Sequence, residues 1–164
     1  MIKKILFILS AIGFIVPVNA ESVKISDIMR GLTTESCIVM MKAVEKKMFK
    51  GVPMRTYPIV NKSNPQGNIF SATAELDYNG DDSQVNITAS PIKNGCNIVF
   101  TETFTSNNPC IEMREKLFKK WKMLGKLNQT LVFSYKKDKD FIAYLTPQGN
   151  GATCLITKRQ IFYK

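Results

Sequence analysis

Four cysteines, Cys37, Cys96, Cys110 and Cys154, and a complete absence of histidine set the terms for chemistry in this chain. The cysteines form no C-x-x-C, so there is no redox-exchange motif, and no two lie close enough for the paired spacing of a four-cysteine zinc site. Without histidine a mixed zinc site has no ligands either. An even number of cysteines fits two structural disulfides formed in an oxidising compartment. Three pairings are open. If each helix runs down and three strands then run up, down and up, the helix cysteines and strand cysteines sit at opposite ends, which disfavours bonds within one half. An extra strand at Arg55 to Val60 would reverse that direction count in the first half.

Hydrolytic and transfer chemistry at neutral pH draws on histidine, a metal or paired carboxylates. Glu75, Glu102, Glu112 and Glu115 are the acids that a sheet and an adjoining helix bring within range of one another. Glu112 and Glu115, however, belong to the first turns of a helix, where the helix dipole already favours acidic side chains. Asp77, Asn79 and Asp81 imitate a calcium loop, but the glycine is misplaced and the closing glutamate is missing. Neither G-x-S-x-G nor S-x-x-K marks a serine nucleophile. Gln148-Gly149-Asn150-Gly151 is followed by a strand and not by a helix, so it reads as a turn and not a phosphate loop. No catalytic residue, metal ligand or cofactor site is assigned, and the expectation is a protein that is not an enzyme.

The remaining chemical feature is positive charge. The chain has 23 basic and 13 acidic residues, a net charge of +10. Lys116, Lys119, Lys120, Lys122 and Lys126 fall on one predicted helix, and Lys158 and Arg159 lie beside Phe162 and Tyr163 near the other end. These seven residues are the candidate contacts for an anionic partner: an envelope polymer, lipid head groups or an envelope protein. Such contacts weaken steeply with salt. Nucleic acid is not expected, because the N-terminus directs the chain out of the compartment that holds it.

That N-terminus has Lys3 and Lys4, an apolar core from Ile5 to Val16 and Val18-Asn19-Ala20, the pattern of a cleaved signal over residues 1–20. The apolar stretch is shorter than the ~20 residues of a spanning helix, and no later segment approaches that length. Residues 21–164 have the size of one domain, exported to the periplasm or the exterior.

Within it, Thr33 and Thr34 precede a helix running to about Lys50, with Cys37, Met41, Val44 and Met48 on one stripe. Val52 to Gly67 holds three prolines and reads as a long connection with an edge-like segment. Three strands follow, at Asn68 to Tyr78, Ser83 to Ser90 and Cys96 to Phe104, the first two joined by Asn79-Gly80. A second helix is expected over Pro109 to Lys126, with Cys110, Met113, Leu117, Trp121 and Leu124 facing inward. Three more strands follow, at Gln129 to Tyr135, Phe141 to Thr146 and Thr153 to Tyr163. The fold class is therefore α+β: an antiparallel sheet of two three-stranded meanders with two helices packed on it and two disulfides. The order helix, strand, strand, strand is written twice, over 33–105 and 107–163, which raises an internal duplication.

The functional expectation is a non-catalytic exported protein, a binding or accessory module of the bacterial envelope or a secretion apparatus. The alternative is a secreted effector or inhibitor that holds one protein target through Val52 to Gly67 or Lys136 to Asp140. A histidine-free hydrolase ranks behind both.

Overall fold

The computed structural model describes residues 24–59, 69–78 and 82–163. The expected export signal, the expected turn at Asn79 to Asp81 and the Val60 to Gly67 part of the long connection lie outside the described residues. The elements are α1 (Ile25–Ile28), α2 (Glu35–Met48), β1 (Met54–Ile59), β2 (Phe70–Asp77), β3 (Asp82–Ile92) and β4 (Gly95–Ser106). They continue with α3 (Cys110–Leu117), β5 (Lys122–Leu127), β6 (Thr130–Tyr135), β7 (Asp138–Gln148) and β8 (Thr153–Phe162). The strands form one antiparallel sheet in the order β1-β2-β3-β4-β8-β7-β6-β5. The first four strands thus pair in chain order, the last four likewise, and β4 against β8 joins the two runs.

Alternation decides which face is covered. Phe70, Ala72, Ala74 and Leu76 of β2 and Val85, Ile87 and Ala89 of β3 are buried at every second position. Cross-strand partners share a face, and the β4–β8 register pairs Ile98 with Phe162, Phe104 with Ile156 and Ser106 with Cys154. Cys96 and Cys154 therefore point to the same side of the sheet. Cys96 bonds Cys37 of α2 and Cys154 bonds Cys110 of α3, so both helices lie on one face and leave the other open. Beneath α2, Cys37, Ile38, Met41 and Val44 join Phe49, Phe70, Ile87, Ile98 and Phe100 in the larger core, which Ile25 and Met29 around α1 close from the side. Beneath α3, Cys110 and Met113 join Phe118, Phe133, Leu145 and Ile156 in a second core.

The α2 helix follows its sequence closely: Cys37, Met41 and Val44 of the expected stripe are buried and Met48 partly so, and Lys50 at φ 49° with Gly51 at φ 80° makes the left-handed turn that ends it. The second helix does not. It stops at Leu117 instead of reaching Lys126, and Lys122–Leu127 is strand β5. Lysine, leucine and methionine favour a helix there, but Asn128 at φ 53° makes a two-residue turn with Gln129 that folds this stretch back onto β6. Backbone pairing along a sheet overrides the weak local propensity. As a result Leu117 and Leu124 are exposed rather than inward-facing, and Phe118, outside the expected stripe, is buried.

The strand count is corrected with it: each half supplies four strands, because β1 at Met54–Ile59 and β5 add one apiece. The extra strand also reverses the direction argument for the cysteines. After four strands the last one starts level with its helix N-terminus, and both disulfides close within a half, contrary to the hint from a three-strand count.

The bonded cysteines are 59 and 44 residues apart in sequence, and loop-closure entropy assigns each bond about 4 kcal/mol. Replacing Cys37 and Cys96 together by Ser, or Cys110 and Cys154 together, should lower the denaturation free energy by about that much. Peptide mapping of the non-reduced protein should recover 37–96 and 110–154; a 37–110 cross-link would contradict the arrangement.

Candidate functional site

Along the β4–β8 seam, the covered face changes character. Ile98 and Phe162 are apolar partners at one end, and Phe104 with Ile156 at the other; between them stand Phe100 opposite Gln160 and Glu102 opposite Lys158. Glu102 is buried, 6% exposed, at the boundary between the two cores. A carboxylate there has to be supplied with donors. Lys158 Nζ lies 3.2 Å from its Oε2, while the Tyr78 hydroxyl and Ser83 Oγ donate to Oε1 at 3.2 and 3.1 Å. Leu76 pairs with Ser83 at the end of the β2–β3 hairpin, which is what brings Tyr78 and Ser83 to this point.

A second carboxylate mirrors the first. Asp138, at the start of β7, accepts from Lys47 Nζ of α2 at 3.0 Å, from Gln160 Nε2 of β8 and from the backbone N–H of Asp140. Each half thus lends a lysine to a carboxylate of the other: Lys47 to Asp138 and Lys158 to Glu102. The aliphatic-to-ammonium ends of both lysines are also placed on rings across the seam, Lys47 over Phe162 at 5.0 Å and Lys158 over Phe104 at 4.7 Å. The Lys47–Asp138 pair is exposed enough that its net stabilisation is about 0–1 kcal/mol. Its consequence is geometric: it ties the C-terminal end of α2 to β7.

These groups floor a cleft of about 450 Å³ whose walls include Met48, Lys50, Tyr78, Tyr135, Lys137 and Phe141. Tyr135 and Phe141 are held from behind by Trp121, at ring-centre distances of 5.2 and 5.0 Å, and Trp121 in turn meets Phe118 edge-on at 5.1 Å. Lys47 and Lys158 are engaged with the floor carboxylates, whereas Lys50 and Lys137 are exposed and have no ion-pair partner among the described residues. Burial pushes the Tyr78 hydroxyl up to about 12, helped by the Glu102 charge and by its hydrogen bond to that carboxylate. At neutral pH Tyr78 is therefore a hydrogen-bond donor, and Ser83, buried at 3% exposure, is closed to a substrate. A larger hollow of about 650 Å³ lies around Arg55, Tyr57, Gln84, Thr103 and Leu155, but it gathers no buried ionisable group.

The seven basic residues singled out from the sequence do not form one patch. Lys116 is on α3 and pairs with Glu112; Lys119 and Lys120 occupy the turn after it; Lys122 and Lys126 are on β5. Lys158 is in the seam, and Arg159, its neighbour on β8, points to the open face opposite Thr101. Glu112 and Glu115 are engaged locally on α3 with Lys116 and Arg114, and Glu75 is exposed on β2. No cluster of three or more acidic, cysteine or histidine side chains able to hold a metal occurs among the described residues. Lys47, Tyr78, Ser83, Asp138 and Gln160 were missing from the sequence-based set. A break in alternation marks only the β4 and β8 members, since Glu102 stands between inward-facing Phe100 and Phe104 and Lys158 and Gln160 follow inward-facing Ile156; nothing local marks Lys47, Tyr78, Ser83 or Asp138.

Among the described residues no helix is long and apolar enough to cross a membrane, and with two disulfides this is compatible with an exported protein. Compared with known proteins, the chain matches no family model, no curated sequence and no solved structure.

In an ultraviolet tyrosinate titration Tyr78 should give a late step near pH 12. Tyr78→Phe should remove that step, and Glu102→Gln should move it down, since the charge opposing ionisation is gone. Because the folded state holds this proton more tightly than the unfolded chain, the contribution to stability is complete below pH 10.0 and fades between there and about 12. A wild-type titration without a late step, or one that Tyr78→Phe leaves in place, would contradict the burial of this hydroxyl against Glu102.

Proposed function

We propose that this is a non-catalytic exported protein, a binding or accessory module of the bacterial envelope or a secretion apparatus, and that it receives an anionic group at the seam cleft. One observation carries the reading: the cleft's own carboxylates are already neutralised by Lys47 and Lys158, while Lys50 and Lys137 at its walls are free cations among the described residues. Tyr135, Phe141 and Met48 offer apolar surface to whatever bears the charge. A site of that make-up binds; it places no accessible nucleophile beside a base. Without Lys3 and Lys4 of the signal the exported chain has 21 basic and 13 acidic residues, and its net charge of +8 draws anionic partners towards it from beyond contact distance.

We also read the chain as two copies of a helix-plus-four-strand unit, a longer unit than the helix and three strands expected from the sequence. In support, each helix cysteine bonds the second residue of the last strand of its own half. Cys96 and Cys154 are fifty-eight positions apart, and so are Thr101 and Arg159, which face each other next to the central Glu102–Lys158 pair of the seam. Phe104 and Phe162 have the same separation, and each lies beneath a lysine of the opposite half. On this reading the cleft sits where the two copies meet, which is how a duplicated unit acquires a site that neither copy has alone.

Binding to an immobilised anionic polymer and to anionic phospholipid vesicles tests the cleft. The double variant Lys50→Gln/Lys137→Gln should lose several-fold in affinity for at least one of them. Lys42→Gln/Lys46→Gln, which removes the same charge from α2 outside the seam cleft, should change it little. Equal losses in the two variants would reduce the effect to net charge and sink the cleft as the site.

A further inference from the structure

The sheet has two free edges, β1 and β5, and they are built differently. Strand β1 contains Pro58, which has no N–H to offer, a common way of blunting an edge against further pairing. Strand β5 has no proline. It pairs with β6 on one side only, so its outward N–H and C=O groups are available as a template. Its register slips between Met123 and Gly125, leaving Leu124 without a partner in β6. Bulges at edges usually turn polar side chains outward or end pairing. Here the strand presents Met123, Leu124 and Leu127 at 42%, 55% and 62% exposure, three large apolar side chains in six residues. Isolated exposed leucines need no explanation, but three on one unpaired edge strand mark an interaction surface.

Charge identifies the partner. Lys122 and Lys126 lie on β5, Lys119 and Lys120 immediately precede it, and none of the four has an ion-pair partner among the described residues. The chain has no Asp or Glu between Glu115 and Asp138, so the whole β5–β6 hairpin is positive or neutral. A second copy of β5 paired antiparallel would add a second set of these lysines along the same short edge, and like charges across strands are destabilising. We propose that the free edge of β5 takes an extended segment of a partner protein, one that carries acidic and apolar residues on both of its faces, as a ninth strand, because the bulge at Leu124 sets Lys122 and Leu127 on the open face and Met123 and Lys126 on the covered one. Backbone bonds to β5 supply the pairing, Met123, Leu124 and Leu127 receive the apolar side chains, and the lysines select the acidic ones. The site is independent of the seam cleft and stands or falls separately.

The test uses a displayed library of ten-residue peptides selected on the full exported protein. Enriched peptides should be rich in both acidic and apolar residues, and adding one should slow amide exchange at 122–127. Lys122→Glu/Lys126→Glu should weaken that peptide at least tenfold and raise affinity for its lysine-substituted counterpart. Leu124→Ser/Leu127→Ser should weaken it tenfold with unchanged thermal unfolding. Lys50→Gln/Lys137→Gln should leave it unaffected. Enrichment without acidic bias, binding that leaves the 122–127 amides unprotected, no enrichment, or a β5-dependent homodimer in sedimentation would each overturn the proposal.

Discussion

The pairing of β4 with β8 is the interaction on which the remainder of the molecule depends. Nine residue pairs, from Ile98 opposite Phe162 to Ser106 opposite Cys154, are what turns two four-stranded runs into one sheet. Everything else that ties the halves is comparatively slight. The disulfides close within each half, the hydrophobic cores are separate, and the Lys47–Asp138 bridge is largely exposed. Strands that meet in the centre of a sheet also lose their edges, so the seam removes a pairing liability from each half. The liability that remains is moved outward, to β1 and β5.

The same seam accounts for the cleft. An apolar pair at every position along β4 and β8 would have fused the two cores under one helix layer. Instead Glu102 and Lys158 occupy the centre, and burying that carboxylate requires Tyr78 and Ser83 as additional donors. Hydrogen bonds to a charged group contribute about 1.5–3 kcal/mol each, and without them a nearly buried carboxylate is costly. The polar row therefore holds its shape for reasons of solvation, and it keeps α2 and α3 from meeting over it. The resulting gap has a neutral floor, aromatic walls and free lysines at Lys50 and Lys137.

Much of this architecture was readable from residue types. The cysteine count with no histidine indicated structural disulfides, and strict alternation in β2, β3 and β4 gave both the strands and the inward-facing residues. The α2 stripe of Cys37, Met41 and Val44 was correct because apolar spacing and the Gly51 stop agreed. Around Lys119 to Leu127 local preference and tertiary pairing disagreed, and the lysine- and leucine-rich composition concealed a strand. Asn128 was the decisive residue there, since a turn requiring positive φ outweighs a few tenths of a kcal/mol of helix propensity per residue. The seam was unreadable for a different reason. Lys47, Glu102, Asp138 and Lys158 come from four separate elements and Tyr78 from the segment that follows β2, and only the strand order, which no local pattern encodes, brings them together.

Hydrogen–deuterium exchange of the folded protein measures the central claim directly, because it reports the order in which backbone pairs open. If the β4–β8 pairing is what makes one sheet of two halves, the amides of residues 98–106 and 154–162 will be among the last to exchange and will exchange together. Faster exchange there than in β2–β3 and β6–β7 would mean that the halves part while each remains folded, and the seam would then be a contact between two independent units.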